Sequence, residues 1–202
     1  MAPHDLEMTA PRTVSRKLIE KKPYVVWNEF VDLLAMSEYR DLSERQRTAH
    51  LVFRYWSEVE NGGHMQYFEN QGTSRLDKTI DALNVLGATS HAKVLAQAAN
   101  RFRSRRRSRT TSVEKYVETA LEGEFDRFDR AYAKCRPQLQ EVLGALLARN
   151  QADFVLVGEK SDRGILERDA EDERIGRWAQ KFIEEHQTQS GRRARSARRP
   201  SP

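Results

Sequence analysis

From Val26 to Leu147, interrupted by Arg101–Arg109, large apolar side chains return every three or four residues, and a chain with that rhythm has few options other than packed helices. Val26, Phe30 and Leu33 begin the pattern, with Trp27, Val31 and Leu34 beside them. Pro23 suits the first turn of that helix, where its missing N–H is not required. Ser43-Glu-Arg-Gln46 has the form of a capping box, and the helix it starts carries a broad stripe of Leu51, Val52, Tyr55, Trp56 and Val59. That helix is expected to stop at Asn61-Gly62, because glycine readily takes the left-handed conformation that closes a helix. Leu76, Ile80, Leu83 and Leu86 mark a third helix with Ser74 as its cap, and a fourth runs from Ser90 to Phe102. Val113, Val117, Leu121, Phe125, Phe128 and Tyr132 predict one long helix, and Leu139, Val142, Leu143, Leu146 and Leu147 another after Pro137. No two alternating runs are joined by a turn dipeptide, so a sheet is not expected, and Phe154-Val-Leu-Val157 reads as a lone strand or an extended cover. The expected fold class is all-α: a single helical-bundle-like domain with a flexible basic C-terminal tail.

Composition sets the boundaries of that domain. Residues 1–22 hold few large apolar groups and read as a flexible arm, followed by the helical domain at 23–158. Residues 159–187 carry Ile165, Leu166, Ile175, Trp178, Phe182 and Ile183 in a charged background, which predicts one additional helix. The last stretch, 188–202, contains Arg192, Arg193, Arg195, Arg198 and Arg199 and no acid, and is expected to be disordered. Those five arginines account for the whole formal charge of +5, so the remainder of the chain is neutral on balance. One cysteine, Cys135, supports neither an internal disulfide nor a cysteine-built zinc site and suits a reducing cytoplasm. No apolar run is long enough to act as a signal peptide or to cross a bilayer, so a soluble cytoplasmic protein without membrane contact is expected.

The densest chemistry lies in Glu60-Asn-Gly-Gly-His-Met-Gln-Tyr-Phe-Glu-Asn-Gln-Gly72. Glu58, Glu60, His64 and Glu69 offer an acid and a base within twelve residues. Yet no His-x-x-x-His or Glu-x-x-His pair places metal ligands on one helical face, and His50 and His91 stand on other helices, where they read as ordinary polar residues. A hydrolase centred on His64 and Glu58 is the weakest of the readings. Cys135, between Lys134 and Arg136 with no histidine nearby in sequence, reads as an inert thiol. There is no phosphate-cradling glycine loop and no nucleophile elbow. No enzymatic activity, metal or cofactor is expected.

The same stretch makes sense as architecture. Gly62-Gly63 permits backbone conformations that other residues resist and a close approach of helices. Tyr67 and Phe68 diverge by about 100° around a helix, so both are expected to be at least partly buried. Asn61, Gln66 and Asn70 can satisfy backbone groups at helix ends. An acidic rim of Glu58, Glu60 and Glu69 beside an aromatic also suits a protein-binding surface. The candidate protein-interaction residues are therefore Glu58, Glu60, Asn61, Gly62, Gly63, His64, Gln66, Tyr67, Glu69 and Asn70. A second, opposite reading uses the run from Arg101 to Arg109, expected as an exposed loop. There Arg101, Arg103, Arg105, Arg106, Arg107 and Arg109, with interleaved serines, could hold nucleic-acid phosphates. The tail would add weak, salt-dependent contacts, without aromatics to stack on bases.

The run from Tyr55 to Gly72, followed by Ala82-Leu-Asn-Val-Leu-Gly-Ala88, resembles the signature of a bacterial family that takes its name from a DNA-mimic protein. Its members show an asparagine, two glycines, then glutamine, an aromatic, phenylalanine and asparagine, with alanine-leucine and glycine-alanine following. Leu95, Ala99 and Phe102, then Phe125-Asp-Arg-Phe-Asp129, Arg149-Asn150 and Phe154, resemble its later landmarks, so the likeness spans residues 24–155. The resemblance implies an all-helical fold, no cofactor, no established enzymatic activity, and a protein partner of the DNA-binding regulator class. A homodimer is also compatible with it. A mimic of this kind displays carboxylates in place of phosphates to a basic DNA-binding groove.

Overall fold

The spine of the domain is α3, Glu44–Gln71, which packs against every other long helix of a computed structural model that describes residues 9–104, 123–158, 165 and 167. Helices α1 (Arg16–Lys21) and α2 (Val25–Met36) precede it, and α4 (Leu76–Val85) and α5 (Thr89–Ser104) follow. After the undescribed segment come α6 (Asp126–Ala133) and α7 (Leu139–Arg149). The start of α3 is fixed as its sequence predicts. Ser43 Oγ accepts from the Gln46 N–H, and the Gln46 side chain accepts from the Ser43 N–H at 2.9 Å. Gln46 is itself buried and donates to the Asp153 carbonyl at 2.8 Å, so one capping residue also ties the helix to the far end of the domain. The apolar stripes meet in one core containing Phe30, Leu33, Leu34, Tyr55, Leu83, Leu95, Leu143 and Phe154, each almost wholly removed from water. Burying a side chain of that size stabilises by roughly 1.5–3 kcal/mol.

The all-α class holds, with one addition. Strands β1 (Arg12–Ser15) and β2 (Val155–Gly158) form a two-stranded parallel sheet, pairing Arg12 with Val155 and Ser15 with Gly158. Residues 9–22 are thus not a loose arm: Val14 and Leu18 are buried, and Ser15 caps α1 through its hydroxyl. A parallel pair needs no hairpin turn, so the turn-based argument against a sheet did not apply to it. Three helix boundaries also differ from expectation. The long helix predicted from Val113 to Tyr132 does not reach back unbroken, since Gly123 sits at φ +63° and α6 starts only at Asp126. Arg101 and Arg103 lie on the last turn of α5 and not in a loop, while Arg105, Arg106, Arg107 and Arg109 fall outside the described residues. Arg75, without a side-chain cap, takes the place expected for Ser74 at the start of α4. Residues 159–202 are a separate unit of which only Ile165 and Glu167 are described, so the additional helix and the tail lie outside the described residues. Among the described residues no helix is long and apolar enough to cross a membrane.

Candidate functional site

At Gly62 and Gly63 the spine breaks and resumes without a loop. Gly62 adopts φ −155°, ψ 26° and Gly63 φ 70°, ψ −172°, while the flanking turns stay helical. Gly63 is required twice over. Its positive φ is costly for any L side chain, and a Cβ there would lie 2.6 Å from Asp129 Oδ2. The break leaves the first N–H groups of the second limb without helical partners, and Asp129 of α6 fills that role: its Oδ1 accepts from the His64 backbone N–H at 2.9 Å.

The same oxygen accepts from His64 Nδ1 at 2.6 Å. A carboxylate can only accept, so in the neutral ring Nδ1 carries the proton and Nε2 accepts from the Tyr55 hydroxyl at 2.9 Å. His64 is 0% exposed, so it is no ordinary polar residue of a corner: it is the hub of a Tyr55–His64–Asp129 chain that staples both limbs of α3 to α6. Both ring nitrogens are engaged inside the protein. Burial first, and then the neighbouring Tyr132, Tyr67, Cys135 and Asp129, raise the Tyr55 phenol well above its ordinary range and keep it a donor. Tyr132 packs edge-on against Tyr55, His64 and His91. Burial, followed by the nearby Glu60 carboxylate, raises its phenol strongly as well, although no hydrogen bond of good geometry joins the two.

Glu58 does not reach His64. Its carboxylate accepts from Gln66 Nε2 at 2.9 Å, Asn70 Nδ2 at 2.7 Å and Gln71 Nε2 at 2.9 Å. One carboxylate before the kink thus gathers three amides after it, a second clasp across the break. Tyr67 and Phe68 are both buried: Tyr67 donates to Thr79 on α4 at 3.4 Å, and Phe68 stacks on Phe102 with centroids 4.5 Å apart. Of the ten candidate residues, Glu60, Asn61, Gly62 and Asn70 are exposed, Gly63, Gln66, Glu58 and Glu69 are half-buried, and His64 and Tyr67 are inside.

What sequence reading missed is the other wall. A cleft of about 310 Å³ opens beside the kink, with Val59, Met65 and Phe125 as apolar floor and Glu124, Asp126 and Asp129 among its lining. Glu124 pairs with Arg101 at 3.0 Å, whereas Asp126 meets Arg130 only at 3.7 Å between exposed side chains. Surface pairs of the second kind hold little energy, so Asp126 keeps most of its charge for a partner. The signal for this wall was present in Phe125-Asp-Arg-Phe-Asp129, but its contact with His64 spans 65 positions and leaves no local trace. On the basic side, Arg101 is held by Glu124, and Arg103 approaches Asp77 at 3.9 Å.

The other histidines among the described residues, His50 and His91, are buried too, contrary to the expectation of ordinary polar residues. His50 Nδ1 donates to the Leu34 carbonyl at 2.9 Å, and burial followed by Arg54 lowers its pKa to about 4. His91 is 0% exposed with no hydrogen bond to either ring nitrogen, and burial followed by Arg136 lowers it to about 4. Cys135 is a buried free thiol that donates to the Ala131 carbonyl at 3.4 Å. Among the described residues no group of three or more histidine, cysteine or acidic side chains could hold a metal ion. Residues 40–151, a little over half the chain, match a family described as DMP19-like protein. No curated protein and no solved structure matches the chain.

Proposed function

Because the chain belongs to the DMP19-like family, named for a DNA-mimic protein, we propose that it is a non-enzymatic module that binds a DNA-binding protein through carboxylates exposed around the kink of α3. The observation that carries this reading is the cleft beside Gly62–Gly63, where Asp126 and Asp129 stand over an apolar floor with Glu60 exposed nearby. Mimicry of a phosphate backbone then rests on a local cluster and not on total charge, which is near neutral outside the tail. The apolar floor adds what a DNA surface lacks, a desolvated centre of the kind that anchors protein interfaces. Against catalysis stands the engagement of both His64 nitrogens within the protein, with Glu58 held by three amides.

The test is capture on the immobilised full chain from a lysate of its source cells, followed by elution with short duplex DNA. Release by duplex DNA of proteins that themselves bind DNA is the expected result. Proteins released by salt but not by DNA at equal ionic strength count against mimicry. The opposite reading, nucleic-acid binding by the arginine run, predicts direct binding of the chain to random duplex DNA that weakens with salt and with removal of 188–202. The pairing of Arg101 with Glu124 reduces the charge available for it.

A further inference from the structure

A second charged feature lies on a different part of the domain and has the opposite sign. The ring of Tyr39, in a 3₁₀ turn at Tyr39–Asp41, is approached by Arg75 at 4.6 Å, Arg47 at 5.5 Å and Lys78 at 5.9 Å. None of these three cations has an ion-pair partner among the described residues. A tyrosine face compensates only part of such a cluster, since one cation–π contact at an exposed site is worth about 0.5–1 kcal/mol.

Two arginines of this region are also held in place. Arg47 donates from Nε to the Tyr39 carbonyl at 3.0 Å and from Nη2 to the Arg40 carbonyl, and Arg54 donates to the Ala35 carbonyl at 2.8 Å. Side chains fixed by backbone carbonyls are preorganised, which lowers the ordering cost of binding. Arg75 also borders a concavity between α3 and α4 of about 10 Å³, room for one water and too small to enclose an oxyanion, which His50, Arg54, Gln71, Gly72 and Thr79 line as well. The Leu34 carbonyl can only accept, so it fixes the proton of neutral His50 on Nδ1 and leaves Nε2 as a lone pair with no hydrogen bond. The groups around that ring are Arg54 on its own helix, Arg75 from α4, Tyr39 from the 3₁₀ turn and Tyr67 from the second limb of α3.

We propose that Arg47, Arg75 and Lys78, gathered around Tyr39, together with Arg54, which lines the same concavity as Arg75, form a binding site for a phosphate-type oxyanion, free or carried on a small molecule. Guanidinium forks match the geometry of a tetrahedral oxyanion, and several convergent cations suit one that carries two charges. Three cations already lie 4.6–5.9 Å from the Tyr39 ring centre and would compete with a nucleobase for that ring, which favours a compact anion over nucleic acid. An anion placed here also favours a proton on His50. The site uses neither of the exposed carboxylates, Glu60 and Asp126, on which the proposed function rests.

The test is NMR titration of the full chain with inorganic phosphate, then sulfate, at pH 7 and constant ionic strength in chloride. Saturable shifts of the Gly72 and Arg75 amides are expected, and the Arg75→Ala/Lys78→Ala variant should bind at least tenfold more weakly. Both side chains are exposed, so the variant should keep the spectrum of the folded protein. In a pH titration with sulfate the His50 midpoint should rise above about 4 by half a unit or more. His91, which starts from about 4 beside Arg136, is the internal control and should not move. Equal movement of both histidines, absence of saturation, or an unchanged response in the double variant overturns the site. Tighter binding of duplex DNA than of sulfate, lost in the same variant, overturns the assignment to a small oxyanion.

Discussion

The kink of α3 and the platform around Tyr39 carry comparable densities of polar groups and use them in opposite ways. At the kink, His64, Asp129, Glu58 and three amides hold one another, and most of what looks reactive in the sequence is consumed in holding two limbs together. At the platform, Arg75 and Lys78 end on an aromatic ring with no ion-pair partner among the described residues. The lesson is that conspicuous residues can be structural while unremarkable ones remain available. What the kink leaves over is its acidic wall, Asp126 with Glu60, and that remainder is what the proposed function uses.

The largest effect should come from acid. Each region has a buried neutral histidine, His91 beside Tyr132 and His50 beside Tyr39, with a folded pKa of about 4 against an ordinary 6.5. Between those values the unfolded chain binds the protons, so stability is full above pH 6.5 and is lost as the pH falls toward 4. The full shift is worth about 3 kcal/mol for each histidine. Urea denaturation at stepped pH should show the loss, and sulfate should protect against the His50 share only. A pH-independent midpoint across this window contradicts both environments.

Next in size is Gly63→Ala, expected to destabilise by about 3 kcal/mol through the left-handed backbone and the collision with Asp129. Gly62→Ala should cost about 1 kcal/mol, because its φ is ordinary and the atom it meets first is the flexible end of Gln66. Equal losses would remove the special role of Gly63. Asp129→Ala should lose about 2 kcal/mol by leaving the His64 N–H groups unpaired, whereas Asp129→Asn should retain most of that. Smallest are the two neighbouring acids. Glu58→Ala should cost about 1 kcal/mol, and Glu60→Ala should leave stability within about 0.5 kcal/mol while changing binding.

Helices α2 to α5 and α7 were legible because each writes a local three-and-four pattern, and the Ser43–Gln46 box marked the start of the spine to the residue. The glycine pair announced a break between helices, and it lies within the residues that match the family. Other features were not legible because their cause is remote in the chain. Strand β1 is a strand only because β2 pairs with it, and four residues of mixed type have no preference of their own. His64 is a buried hub only because Asp129 meets it across the domain. Gly123, at φ +63°, keeps the helix that starts at Asp126 from extending back through it as the apolar period would have it, a case of backbone geometry overruling periodicity.

The central claim is that the carboxylates left over at the kink form the docking face. Neutralising them by Glu60→Gln with Asp126→Asn tests it most directly, since both side chains are exposed and neither supports the kink. The account predicts that the doubly substituted chain melts like the original and loses at least nine-tenths of the DNA-releasable proteins it would otherwise capture. Undiminished capture by that chain, with release by duplex DNA intact, would contradict it.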